Sequence, residues 1–168
     1  MSSILAVHKP LKRSRARVAK LSVVAPTLQL IDVYRADPMD RVALVKTGVP
    51  AADFVALASN LRMPKERLAS TLGLARATVD RKIRDNKLLS PDESSRMLGM
   101  ASLIGQVQSL VAESGEPQGF DAGAWVSHWL DQPVPALGDR RPAELMDTSE
   151  GQAIVSRLVA QMQSGAYA

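Results

Sequence analysis

The stretch from Lys65 to Arg84, K-E-R-L-A-S-T-L-G-L-A-R-A-T-V-D-R-K-I-R, leaves the chain few options. Leu68, Ala69 and Leu72 fall at helical spacing, Gly73 interrupts, Leu74 follows, and Val79 and Ile83 bring a second apolar stripe back to the same core. Two short helices meeting at a glycine make a helix-turn-helix. Arg76, Arg81, Lys82 and Arg84 stay off the stripe. Such cations either form an ordinary solvated face or meet the phosphates and guanine edges of a duplex. The glycine turn and the basic second helix occur together, which favours DNA. Arg76, Thr78, Arg81, Lys82 and Arg84 are therefore the candidate DNA-contacting residues.

The rest of the chain must supply a core for this motif. With 168 residues and 46% hydrophobic content it can bury one good core or two small ones. Aromatics are only 4%, so that core is built from Leu, Val, Ala, Ile and Met, a composition that favours packed helices over a sheet sandwich. We expect an all-α protein: a helix-turn-helix bundle followed by a small helical domain. Charge is unevenly spread. Residues 1–20 carry six cations and no acids, residues 62–87 eight cations and three acids, and residues 88–168 four cations and ten acids. Two basic blocks and an acidic C-terminal half imply a polyanionic partner at one end and a different partner at the other.

Further patterns mark the boundaries. Residues 1–36 read as a basic N-terminal arm, either a solubilising tail or a phosphate-contacting segment. Within it, the run Leu28 to Tyr34 fits a short strand nearly as well as a helix turn. Asp37-Pro38-Met39-Asp40 starts a helix with Asp37 as N-cap, and Gly48 ends it. A second helix from about Pro50 to Leu61 should bury Phe54, Val55, Leu57 and Leu61. Ser90-Pro91-Asp92-Glu93 is a capping box with proline at the first helical position, and a long helix must begin there. Met97, Met100, Ala101, Ile104, Val107 and Val111 form one stripe of it, while Leu98, Leu103 and Leu110 weight another side. Gly99 and Gly105 cost this helix about 1 kcal/mol each relative to alanine. That cost fits a close backbone approach, either at a subunit interface or against the C-terminal domain. The helix closes a domain over residues 37–113, and a linker from Glu113 to Gly119 opens one over residues 114–168.

In that last domain Asp121 caps a helix, with Phe120 placed to staple onto Trp125. Trp125 and Trp129 share one face, as core or as partner anchors. Pro142 to Met146 gives a short helical turn. Asp147 to Glu150 resembles another capping box, opening a helix that buries Ile154, Val155, Leu158, Val159 and Met162. Catalytic machinery is not evident: the two histidines, His8 and His128, stand apart, and no metal-binding, nucleophile-elbow or phosphate-loop motif occurs. We expect no enzyme, no cofactor, no metal and no small-molecule substrate. Cysteine is absent and no apolar run approaches a membrane span, so a soluble cytoplasmic protein without membrane association is expected.

Beyond these local patterns, L-V-K-T-G-V-P, the helix-turn-helix itself, L-S-P-D-E-S-S-R, W-L-D-Q-P-V-P-A-L-G-D-R-R-P-A-E-L-M-D-T-S-E-G and the closing S-G-A-Y-A follow one another in a distinctive order. Over residues 38–168 the sequence resembles the Xre/MbcA/ParS antitoxins, partners of RES-domain toxins. The resemblance implies a homodimer that represses its own operon through operator DNA. It also implies a C-terminal toxin-binding domain that blocks the active-site entrance of an NAD-degrading RES-domain toxin encoded nearby. The family's elements fall on Trp129 and Leu130, on Leu137, Gly138, Arg140 and Pro142, and on Gly165 and Tyr167. Trp129, Arg140, Arg141, Pro142, Leu145, Gly165, Tyr167 and Ala168 are the toxin-binding candidates on that basis. Ala75 replaces the usual Ser or Thr cap, Asp139 replaces an expected glycine, and Asp80 can pair with Arg76 or Arg84. The first and last of these imply modest DNA affinity. The alternative is a plain helix-turn-helix regulator whose C-terminal domain dimerises or binds an effector.

Overall fold

A single long helix sets the frame, and the sequence shows why it starts where it does. In the computed structural model, which describes residues 29–115 and 118–163, α6 runs from Pro91 to Ser114. The Ser90 hydroxyl accepts the Glu93 N–H at 3.3 Å, and the Glu93 carboxylate accepts the Ser90 N–H at 2.6 Å, closing the capping box. Gly115, left-handed at φ 87°, ends the helix. Its 24 residues span about 36 Å.

The other helices are α1 (Leu30–Arg35), α2 (Pro38–Thr47), α3 (Ala52–Asn60), α4 (Lys65–Thr71), α5 (Arg76–Arg84), α7 (Ala122–Trp129) and α8 (Ser149–Gln163). Two 3₁₀ turns, Pro135–Leu137 and Pro142–Leu145, lie between α7 and α8. The fold is all-α, as expected. Helices α1, α2, α7 and α8 all pack on α6, which is why Met97, Leu98, Met100, Ala101, Leu103, Ile104 and Val107 are buried around most of its circumference. One contiguous apolar cluster runs from Leu30 to Val159, so both halves of the chain share it.

Both α6 glycines are explained within the chain. A Cβ on Gly105 would lie 2.1 Å from the carbonyl oxygen of Leu30, and one on Gly99 would lie 1.7 Å from the Gln152 amide oxygen. The Gln152 Nε2 instead donates to the carbonyls of Arg96 at 3.0 Å and Met146 at 2.9 Å, tying α8 to α6. Packing within the chain is thus the origin of these glycines. Polar groups inside the frame are paired: Ser94 Oγ accepts the Val49 N–H at 3.0 Å, and Gln106 exchanges hydrogen bonds with the Ser156 carbonyl and hydroxyl. Among the described residues, no buried side-chain nitrogen or oxygen lacks a partner.

Four expectations need correction. The arm assigned to residues 1–36 extends too far, because Leu30–Arg35 is helical and lays Leu30 and Val33, three apart on one face, against α6. Arg35 also donates to Ser109 at 3.1 Å. The remainder of that arm, residues 1–28, lies outside the described residues. Val55 points outward at 44% exposure, because Phe54, Leu57 and Ala58 already fill the buried face of α3. Ile154 is likewise exposed, the core face of α8 being Val155, Leu158 and Val159. Finally, the cap of α8 is Thr148, whose hydroxyl accepts the Gly151 N–H at 3.1 Å, one residue after the Asp147 expected there.

The Gly105 contact gives a direct test. Alanine there adds about 1 kcal/mol of helix propensity, but its Cβ meets backbone that cannot rotate away, an overpacking cost of about 1–3 kcal/mol. Gly105→Ala should lower the urea unfolding midpoint; an unchanged or higher midpoint would show that α1 needs no close approach.

Candidate functional site

The turn between α4 and α5 is a Schellman motif. The Gly73 N–H bonds to Ser70 O at 3.1 Å and the Leu74 N–H to Ala69 O at 2.8 Å, with Gly73 left-handed at φ 61°. Leu68, Ala69, Leu72, Leu74 and Val79 are buried and Ile83 is partly so, as the spacing predicts. Two further contacts hold the turn from outside. Arg96 of α6 donates to Leu72 O at 3.1 Å and Gly73 O at 2.9 Å, and a Cβ on Gly73 would sit 2.9 Å from that of Asp147.

Helix α5 opens at Ala75, whose backbone is extended (φ −69°, ψ 106°) and whose side chain makes no capping bond. Its cations differ in their partners. Arg76 lies 3.1 Å from Glu66 and 3.5 Å from Asp80, and Arg84 lies 3.6 Å from Asp85. Asp80 pairs with Arg76 as the spacing allows, but its nearer partner is Lys65 of α4 at 2.6 Å, and it makes no ion pair with Arg84. That hydrogen bond from Lys65 is the main reason the Asp80 carboxyl titrates below the usual carboxylate range, with Arg76 adding to it. Arg81 is exposed and, among the described residues, has no carboxylate partner. Thr78 is half-exposed near the start of α5.

Lys82 is placed differently from the three arginines. Its ammonium is bound by the Glu93 carboxylate, with the two side chains only 18% and 12% exposed, so it is drawn off the open face toward α6. Burial acts to raise the Glu93 carboxyl, but hydrogen bonds from Lys82 and Ser90 outweigh it and hold it low.

The C-terminal unit is docked on the end of the helix-turn-helix bundle. Asp121 caps α7, accepting the Ala124 N–H at 2.9 Å, and lies 2.5 Å from Arg62. Those two contacts, the backbone N–H first, hold its carboxyl below the usual range. Asp131 pairs with Arg67, and a Cβ on Gly123 would lie 2.1 Å from Asn60 O. Sequence reading missed both arginines, since nothing local marks Arg62 or Arg67 as reaching α7. Phe120 packs on Trp125 with ring centroids 6.5 Å apart, as a staple should, and Trp125 stacks on Trp129 at 5.7 Å.

The toxin-binding candidates separate into two groups by exposure. Trp129 at 9% and Pro142 are buried, along with Leu130. Their contacts lie within the unit: Trp129 is covered by the Trp125 stack, and the Pro142 turn is anchored by an Ala143 N–H bond to Leu130 O at 2.9 Å. Arg140 and Arg141 are exposed and Leu145 is half-buried. The arginines follow a left-handed pair, Gly138 at φ 65° and Asp139 at φ 60°, closed by Val134 N–H to Arg140 O at 3.0 Å. Aspartate thus does occupy a position suited to glycine. Gly165, Tyr167 and Ala168 lie outside the described residues.

The uncapped start of α5 makes a prediction. Ala75→Ser places a side-chain acceptor at the first turn, where the Thr78 N–H bonds only the Ala75 carbonyl at 2.9 Å, and should stabilise the fold by about 1 kcal/mol, read as a higher unfolding midpoint. No gain would mean that the first-turn N–H groups are already satisfied.

Comparison with known proteins agrees with this division. The antitoxin Xre-like helix-turn-helix domain matches residues 40–102, and the antitoxin Xre/MbcA/ParS C-terminal toxin-binding domain matches residues 120–165. The Prs ADP-ribosylating antitoxin of Sphingobium sp. (strain YBL2) is 48% identical over 136 residues, covering 81% of this chain and 86% of that protein. The reading as a plain regulator with an effector domain gives way to these matches. With its helix-turn-helix docked on a toxin-binding unit, this chain belongs to the Xre/MbcA/ParS family of toxin-antitoxin systems and is an antitoxin.

Proposed function

We propose that this antitoxin neutralises a RES-domain toxin encoded nearby that consumes NAD, and that as a homodimer in the cytoplasm it represses its own operon. The observation that carries the toxin half is the match of residues 120–165 to a toxin-binding domain, on which Arg140 and Arg141 stand exposed beyond a fixed turn. Gly165, Tyr167 and Ala168 complete the contact, the tail reaching the toxin's active-site entrance. The Sphingobium relative is named an ADP-ribosylating antitoxin. ADP-ribose is drawn from NAD, so of hydrolysis, phosphorolysis and group transfer we take transfer as the toxin's reaction.

Co-expression with the adjacent gene tests this. The neighbour should be toxic and NAD-depleting alone and harmless beside this protein; a neighbour harmless alone, or toxic in both cases, overturns the reading. Removal of residues 164–168 should abolish neutralisation while leaving the thermal transition in place. Full neutralisation by the truncated chain would exclude a role for the tail.

For the DNA half, Arg81 is the α5 cation that, among the described residues, need surrender no carboxylate to meet DNA. Arg81→Ala should weaken operator binding roughly tenfold, and log affinity should fall steeply with log salt. Retention that ignores salt, or that prefers no sequence, counts against DNA reading.

A further inference from the structure

Lys82 looks by sequence like a fourth phosphate contact, and its surroundings assign it elsewhere. Its side chain is 18% exposed, against 64% for Arg76 and 72% for Arg84 on the same helix. The carboxylate that holds it, on Glu93, also accepts the Ser90 N–H at 2.6 Å, so one group serves both the cap of α6 and the ammonium of α5. The main chain beyond continues the same attachment. Lys82 O accepts the Lys87 N–H at 2.8 Å, Lys87 O accepts the Ala51 N–H at 2.9 Å, and Leu89 N–H bonds to Val49 O at 2.8 Å.

Apolar packing alone holds α5 weakly. Of its nine residues, Val79 is the one that is fully buried, with Ile83 partly covered. Two side chains four apart define a line of contact, about which a short helix can roll. A directed charge pair on the residue beside Ile83 removes that freedom, because the ammonium must stay over a carboxylate that the capping box has already fixed.

We propose that Lys82 and Glu93 are positioning residues for DNA reading. Their ion pair sets the rotation of α5 on the first turn of α6 and thereby aims Arg81 at the groove. Lys82 itself contacts no phosphate. The proposal rests on the reading of α5 as the DNA-recognition helix.

The test compares wild type, Lys82→Met, Glu93→Gln and the double variant by fluorescence anisotropy. The probes are a duplex spanning the region upstream of the protein's own operon and a scrambled duplex of equal length, each across a salt series. Methionine keeps the apolar stem of Lys82, and glutamine at Glu93 keeps an acceptor for the Ser90 N–H. Positioning predicts that each single variant loses roughly tenfold in operator affinity, the scale of one disturbed base contact. Scrambled-duplex affinity and the salt slope stay as in wild type, and the double variant loses no more than either single, since one pair is broken once. A phosphate contact predicts otherwise: Lys82→Met weakens both duplexes and lowers the salt slope by about one, while Glu93→Gln frees the ammonium and tightens both. That result overturns the proposal.

Amide hydrogen exchange of the DNA-free variants supplies a second readout. Exchange should accelerate through α5 while the interior of α6 keeps its protection. Unchanged α5 exchange in both single variants overturns the proposal even if DNA binding falls. A wild-type protein that prefers neither duplex removes the DNA-recognition reading instead, and the exchange data still decide whether the pair holds α5.

Discussion

The close approach of other elements to α6 is the constraint on which the fold depends. At Gly105 the carbonyl of Leu30 occupies the volume a side chain would need, and at Gly99 the amide of Gln152 does the same. Glycine weakens an isolated helix, so two of them in one long helix are tolerable only where packing compensates. Here the compensation comes from both directions along the chain: α1 crosses before the helix-turn-helix is made, and α8 crosses after it. The long helix therefore works as a common spine, and its capping box fixes where that spine begins.

Sharing a spine makes the two functional halves physically continuous. Arg96 of α6 holds the Gly73 turn through two carbonyls, its own carbonyl is held by Gln152 of α8, and Asp147 lies against the glycine. Arg62 and Arg67 meet Asp121 and Asp131 on a second line of contact. A toxin-binding unit attached only through residues 114–119 would be free to move relative to the helix-turn-helix. This one is seated on the turn of the helix-turn-helix and on its supporting helices.

What the sequence made legible was local. Asp37, Ser90 with Glu93, Asp121 with Phe120, and Gly73 each act within one helical turn of themselves, and each does in the fold what its residue type suggests. Contacts between elements were not legible, because no spacing rule connects Lys65 to Asp80, Lys82 to Glu93 or Arg62 to Asp121. The same limit misplaced α1, whose six residues show too little periodicity to separate helix from strand until α6 is there to receive Leu30 and Val33. In the C-terminal unit, family likeness marked a segment but could not divide it into buried and exposed residues. Trp129 and Pro142 are buried within it, whereas Arg140 and Arg141 reach solvent.

Exposure also sorts the cations of α5 by what they can exchange. Arg76 and Arg84 have carboxylate partners at the surface, with side chains 64% and 72% exposed. Such pairs are worth about 0–1 kcal/mol, so a phosphate can replace the carboxylate at little cost. Lys82 is committed, because removing it would leave the Glu93 carboxylate, only 12% exposed, without its counter-charge. Arg81 has, among the described residues, no carboxylate pair to break. Among the described residues, the helix thus combines one arginine without a carboxylate partner, two arginines in weak surface pairs, and one lysine in a largely buried pair. A count of positive charges gives all four equal weight; their carboxylate neighbours do not.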